Sequence, residues 1–72
     1  MSQNEKILNY IKKHGSIDQR RAALELDILR LAARISDLRG LGVPIISETK
    51  YRLNEAGKVV SKWAEYRIAP MA

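Results

Sequence analysis

The five residues Gly40-Leu-Gly-Val-Pro44 divide the chain into a part with helical spacing and a part with strand-like spacing. Gly40 and Gly42 are expected to end a helix, and Pro44 cannot continue one because its nitrogen carries no hydrogen. Before this point apolar residues recur three and four positions apart, whereas after it β-branched and aromatic residues dominate. The sequence therefore predicts an α+β fold with the helices first and the strands last.

Three helices are predicted, at about 3–14, 19–26 and 30–39. Ser2 and Asp18 are typical N-cap residues for the first two, and Gly15 suits the left-handed conformation that often follows a helix. The third helix has an apolar face whose four residues are spaced by three, four and three: Ile28, Leu31, Ile35 and Leu38. Because this spacing places them along one stripe, we expect that face to pack against the core.

The rest of the chain predicts one long β-hairpin, with strands at about 43–53 and 58–68. Asn54-Glu-Ala-Gly57 is the turn signal, and turn chemistry favours a register in which Asn54 lies opposite Lys58. Burial instead favours a register shifted by one residue. A β-bulge would satisfy both requirements, so the sequence leaves the register open.

A chain of 72 residues, 46% hydrophobic and 29% charged, predicts a single domain over 1–72 with a thin core. Ser16-Ile17 is expected to pair with the hairpin, and the last four residues, 69–72, are expected to fray. The absence of cysteine excludes disulfides and thiolate sites, and it fits a reducing compartment. No apolar run is long enough for a signal peptide or a membrane span, which predicts a cytoplasmic protein with no membrane partner.

Catalysis is not expected, and neither is a metal or a cofactor. His14 is the single histidine, and no cysteine or carboxylate cluster at metal-ligand spacing accompanies it. Gly40-Leu-Gly42 lacks the rest of a phosphate-binding fingerprint. The net charge of +5 instead favours an anionic partner such as nucleic acid.

The order helix, short strand, helix, helix, hairpin resembles the winged helix-turn-helix fold. The residues that carry the resemblance are Arg30-Leu-Ala-Ala-Arg-Ile-Ser-Asp-Leu-Arg39, Gly42-x-Pro-Ile45, His14-Gly-Ser-Ile17 and Tyr66-Arg-Ile68. They are similar to those of a group of small phage and prophage helix-turn-helix proteins. The resemblance implies that the second and third helices form the helix-turn-helix, that the third lies in the major groove of DNA, and that the hairpin is the wing.

On this interpretation, Ala32 and Ala33 let the third helix approach the groove floor, and Arg30 and Arg34 reach base edges or phosphates. Asp37 is a weaker candidate, because it can instead pair with Arg34 one turn earlier. The alternative interpretation of these residues is an ordinary solvated helix face.

Two further groups are candidate phosphate contacts: Gln19, Arg20 and Arg21 at the start of the second helix, and Lys50, Arg52, Lys58 and Lys62 on the wing. The helix start favours a phosphate through its amides and dipole, and the wing cations can follow the DNA backbone. Both groups have a plainer interpretation. Charged residues cover the outside of short amphipathic helices, and lysines protect strand edges from unwanted pairing.

Trp63 has two interpretations. It packs in or beside the core, or it forms an outer apolar patch with Ile46 and Val59 that suits a second subunit or a protein partner. The leading functional hypothesis is a sequence-selective, duplex-DNA-binding regulator or recombination accessory factor of phage or mobile-element type. The alternative is a protein-interaction module, such as an anti-repressor or an inhibitor of a host defence complex. RNA binding is less favoured, because the chain shows no array of aromatic residues for stacking bases.

Overall fold

The computed structural model of the protein describes residues 2–70 and contains three helices and three strands. In chain order these are α1 (Gln3–His14), β1 (Ile17–Asp18), α2 (Gln19–Leu26), α3 (Leu31–Gly40), β2 (Ile45–Leu53) and β3 (Val59–Ile68). The strands form one antiparallel sheet in the order β1-β3-β2. α3 therefore begins one residue later than expected, and β2 begins two residues later.

Local side-chain chemistry sets the ends of the first two helices. Ser2 Oγ accepts a hydrogen bond from the amide of Glu5 at 3.1 Å, and Asp18 Oδ1 accepts one from the amide of Arg21 at 2.8 Å. Gly15 ends α1 with a φ of 93°, a conformation that L-amino acids with a side chain seldom adopt. The expected caps are present at all three positions.

The core lies between the three helices and the inner half of the sheet. Its buried members are Ile7, Tyr10, Ile11, Ile17, Ala22, Ile28, Leu31, Ile35, Leu38 and Ile45. The predicted apolar face of α3 is confirmed, since none of its four residues is more than 1% exposed. Burying an aliphatic side chain of this size contributes about 1.5–3 kcal/mol, so this face fixes α3 to the rest of the protein. Trp63 is 39% exposed and lies outside this core.

The hairpin solves its register problem with a β-bulge. Near the turn, the amide of Asn54 donates to the carbonyl of Lys58 at 2.9 Å, and Gly57 has a φ of 80°. Leu53 pairs with Val59, but the next pair joins Arg52 to Ser61, so Val60 is the extra residue. The turn thus keeps its preferred pairing while the rest of the sheet takes the register that buries Ile45 and partly buries Ile68.

This register disperses the apolar patch that the sequence suggested on the outer face. Directly paired residues share a sheet face, so Val59 lies on the face of Leu53 and not on that of Trp63. Charged residues of β2 lie between Ile46 and Trp63 on the outer face. The proposed patch of Ile46, Val59 and Trp63 is therefore not formed, because the bulge reverses the side on which Val59 emerges.

Two segments outside the hairpin strands, β1 and the residue after β3, are hydrogen-bonded to the hairpin or to the residue before it. In β1, Ile17 pairs with Tyr66 and Asp18 pairs with Glu65. The strand begins at Ile17, one residue later than the expected Ser16. The amide of Ala69 donates to the carbonyl of Pro44 at 2.8 Å, so the expected fraying does not begin at residue 69. Met71 and Ala72, to which that expectation also applied, lie outside the described residues.

Candidate nucleic-acid interface

The start of α3 is positioned by a side chain from α2. Gln19 Nε2 donates to the carbonyl of Ile28 at 3.1 Å, and Gln19 Oε1 accepts from the amide of Leu31 at 3.0 Å. Both ends of this amide are used within the protein, where they join α2 to the turn and satisfy the first free amide of α3. Gln19, predicted as a DNA contact, is exposed, and its side-chain amide also joins α2 to the start of α3. Sequence offered no signal for this, because its partners lie 9 and 12 positions away.

The end of α3 is held by its third arginine. Arg39 Nε and Nη2 both donate to the carbonyl of Ile45, at 3.2 and 3.1 Å. Bonds from a charged donor are stronger than those between neutral groups, so this pair fixes the end of α3 against the start of β2. Arg39 is itself exposed, but two of its guanidinium nitrogens are occupied within the protein, so it is less available to an external ligand than Arg30.

The open side of α3 carries Arg30, Ala33, Arg34 and Asp37, of which Arg34 is the most enclosed. Arg34 Nη2 lies 3.3 Å from Asp37 Oδ2, which is the pairing that the sequence offered as an alternative role for Asp37. Arg34 Nε is buried and has no hydrogen-bond partner among the described residues. Arg30 is exposed, and the described part of the chain gives its side chain no partner. Arg30 is therefore the cation of α3 most available to an external ligand.

A second group of candidate residues meets in an open cleft of about 410 Å³ between the start of α2 and the hairpin. We call it the α2–wing cleft. Its lining residues are Asp18, Gln19, Arg20, Arg52, Ser61, Lys62 and Trp63. None of the α3 candidates lines it, so the structure divides the predicted site residues between two surfaces.

The charges in the α2–wing cleft are not balanced from within. Asp18 caps the amide of Arg21 and lies 4.0 Å from its Nε, so the acidic side chain of the cleft already has partners. Arg20, Arg52 and Lys62 have no hydrogen bond or ion pair from their side chains to any residue in 2–70. The cleft therefore presents uncompensated positive charge.

The remaining wing cations differ from these in their partners. Lys50 Nζ donates to Glu48 Oε1 at 3.1 Å, and Arg67 Nε lies 3.6 Å from Glu48 Oε2. The hydrogen bond from Lys50, with the nearby positive charges, holds the pKa of Glu48 below its ordinary value. Lys58 is exposed in the turn. Of the four predicted wing cations, the side chain of Lys50 therefore has an internal partner, whereas those of Arg52, Lys58 and Lys62 have none among residues 2–70.

The single histidine packs against an aromatic neighbour. The rings of Tyr10 and His14 lie 4.3 Å apart, and the Tyr10 hydroxyl donates to Glu25 on α2, which raises the pKa of Tyr10. Within residues 2–70, no three metal-binding side chains lie together. No helix in the same range has the length and apolar character needed to cross a membrane.

A family model described as a winged helix-turn-helix domain matches residues 2–70. The chain belongs to the winged helix-turn-helix family. The predicted family and the α+β class with a hairpin wing are confirmed. In this winged helix-turn-helix protein, α2 and α3 form the helix-turn-helix and the β2–β3 hairpin forms the wing. No curated protein and no solved structure matches the chain.

Proposed function

We propose that this protein binds double-stranded DNA selectively by sequence, with α3 in the major groove and the wing along the DNA backbone. Family membership supports DNA binding in general. The proposal goes further: a cytoplasmic regulator or recombination accessory factor of phage or mobile-element type, acting by occupancy and without catalysis. Its resemblance to small phage and prophage proteins supports that narrower role.

The observation that carries the proposal is that α3 is fixed to the rest of the protein on its inner face and at both ends. Its inner face is buried, Gln19 and Arg39 hold its two ends, and its outer face offers Arg30 without a partner beside the small side chain of Ala33. A recognition helix needs this combination of a fixed backbone, close approach and one long cationic side chain. Arg34 reaches the same side but must first give up its contact with Asp37.

The deciding experiment removes the two outward arginines together, as Arg30→Ala with Arg34→Ala. DNA sequences selected from a random duplex pool are then compared with an unselected duplex. We expect the preference for selected sequences to be lost, because one arginine that reads guanine contributes about 1–3 kcal/mol of discrimination. The control is Lys12→Ala with Lys13→Ala, which removes the same charge from α1 and is expected to retain the preference. An unchanged preference in the arginine variant would contradict the proposal.

A protein-interaction module remains the second candidate, and one observation favours it. Tyr51, Leu53, Val59 and Val60 are each more than half exposed on the outer wing, which is unusual for such side chains. A homodimer or another protein would cover them. In that case heparin and generic duplex DNA would not retain the protein, whereas Leu53→Ser would weaken self-association or partner binding. Retention on heparin with a salt-sensitive gel shift supports DNA binding instead.

A further inference from the structure

The α2–wing cleft combines two features that a phosphate contact alone does not require. Two cations without internal partners converge there from α2 and β2, namely Arg20 and Arg52. Lys62 also lines the cleft, but it pairs with Tyr51 in the sheet and its side chain emerges on the face opposite Trp63. The indole of Trp63, the single tryptophan of the chain, lines the same cleft and is 39% exposed. A ligand that fits this cleft must satisfy both the charge and the flat apolar ring.

The charges indicate an anion. Like charges held in one cleft repel each other, and an anionic ligand relieves that repulsion. Asp18 does not do so, since its carboxylate is occupied by the amide and the guanidinium of Arg21. The hydroxyl of Ser61 adds a neutral donor on the same wall.

The indole indicates that the anion carries an aromatic ring. A partly exposed tryptophan beside arginines is a stacking platform for a nucleobase, which presents a flat π-face whatever its sequence. Inorganic phosphate would use the cations and leave the indole bare. A neutral aromatic molecule would do the reverse. A nucleotide uses both, and the cleft volume of about 410 Å³ is in the range of small-ligand sites.

We infer that the α2–wing cleft binds one unstacked nucleotide, with its base on Trp63 and its phosphate between Arg20 and Arg52. Two sources supply this chemistry: a free mononucleotide, or an unpaired nucleotide at a DNA end or single-stranded stretch. The second source rests on the proposed DNA binding, whereas the first does not. Bases inside an intact duplex are stacked on their neighbours and do not offer a face to Trp63.

The test uses Trp63 fluorescence, which reports on the cleft alone because the chain has one tryptophan. The probes are 2′-deoxyadenosine 5′-monophosphate, 2′-deoxyadenosine, inorganic phosphate, a blunt duplex, and the same duplex with a short single-stranded overhang. We expect saturable quenching by the monophosphate, by the overhang duplex, or by both. The nucleoside and inorganic phosphate should each bind more weakly than the monophosphate.

Variants locate the site. Arg20→Ala with Arg52→Ala should weaken nucleotide binding measured by the same quenching, and Lys12→Ala with Lys13→Ala on α1 should not. Trp63→Leu, followed by calorimetry, should weaken binding by about fivefold to a hundredfold, the range known for single base-stacking contacts. Tyr51→Leu is the matched control, an exposed aromatic residue on the opposite face of the wing. Circular dichroism checks that each variant is folded. If Trp63→Leu does not fold, the double cation variant still tests the site, because it removes no residue of the core.

The two sources separate cleanly. Quenching by the overhang duplex alone assigns the site to unpaired DNA, and quenching by the monophosphate assigns it to a free nucleotide. The inference is overturned if neither quenches, or if inorganic phosphate binds as tightly as the monophosphate. If the blunt duplex quenches as strongly as the overhang duplex, unpaired DNA is excluded as the source, and without quenching by the monophosphate the inference is overturned. None of these results tests selective duplex binding through Arg30, which is tested separately by the Arg30→Ala with Arg34→Ala variant.

Discussion

α3 and the outer wing are the two protruding parts of this molecule, and they are built in opposite ways. α3 buries its apolar stripe completely and is held at one end by Gln19 and at the other by Arg39. The outer wing exposes more than half of Tyr51, Leu53, Val59 and Val60, and only β2–β3 pairing and the bulged turn hold it. One element is fixed by the core, whereas the other is fixed only by its own strands.

The difference separates the properties that each element controls. Substitutions behind α3 should change the stability of the whole protein, because they disturb the core and the helix at once. Substitutions on the outer wing should leave stability almost unchanged and alter only what the wing contacts. Local opening is favoured where few apolar contacts are buried, so the wing is the part expected to move on binding.

The largest effect is expected for Ile35→Ala. Removing a fully buried isoleucine side chain costs about 2–5 kcal/mol, which is comparable with the total stability expected for a domain of this size. Val59→Ala on the outer wing should cost less than about 0.5 kcal/mol. Urea unfolding measures both free energies, and Ile35→Val provides a milder step if Ile35→Ala is unfolded. Similar losses for Val59→Ala and Ile35→Ala would remove the distinction between the two elements.

A smaller loss is expected for Gln19→Ala, which removes both hydrogen bonds between α2 and the start of α3. Leaving the carbonyl of Ile28 and the amide of Leu31 without their partner should cost about 1–3 kcal/mol. Gln3→Ala, in the exposed first turn of α1, is the matched control. Thermal unfolding compares the two variants. If Gln19→Ala is no less stable than Gln3→Ala, Gln19 does not hold α3 in place.

On the wing, affinity for DNA should respond more than stability. Arg52 has no internal partner among the described residues, so Arg52→Ala should reduce the slope of log affinity against log salt by about 0.9 for one lost phosphate contact. Lys50→Ala should reduce it less, because Glu48 already pairs with that ammonium group. Dissociation constants over a series of salt concentrations give the slopes. Equal reductions of the salt slope by Arg52→Ala and Lys50→Ala would show that pairing with Glu48 does not keep Lys50 from contacting DNA.

The smallest effect concerns pH. Because the pKa of Glu48 is lowered in the folded protein, its interaction with Lys50 and Arg67 stabilises the fold above the unfolded pKa. That contribution is lost as the pH falls through the folded pKa. Glu48→Gln should therefore show a slightly smaller decrease in stability on acidification than the parent chain. Urea midpoints at about pH 7 and about pH 3 measure the difference, and Glu55→Gln in the turn is the control.

Local patterns were enough for much of the fold. Caps such as Ser2 and Asp18 act within one helical turn, and the spacing of Ile28, Leu31, Ile35 and Leu38 follows from the helix period alone. The turn preference of Asn54 to Lys58 and the conflicting burial pattern together implied a bulge. These features are readable because their causes lie within a few residues of each other.

For the candidate site, sequence named the cations but not their surroundings. Whether a cation is free depends on which acceptors the fold places beside it, as the contrast between Arg30 and Arg39 shows. Gln19 is a surface residue in the structure too, but its amide bonds to Ile28 and Leu31 depend on how the turn before α3 folds against it. Ser61 and Trp63 join Arg20 in one cleft only because β3 lies next to β1.

The sequence by itself therefore determined the helices, the turn and the positive charge, since these depend on short-range spacing and composition. Tertiary structure decided which charges are compensated, on which face each wing residue emerges, and that α2 and the wing enclose a cleft. Those outcomes arise from pairing between strands, including that of β1 with the distant β3, and contacts between residues so far apart in the sequence leave no periodic mark on it.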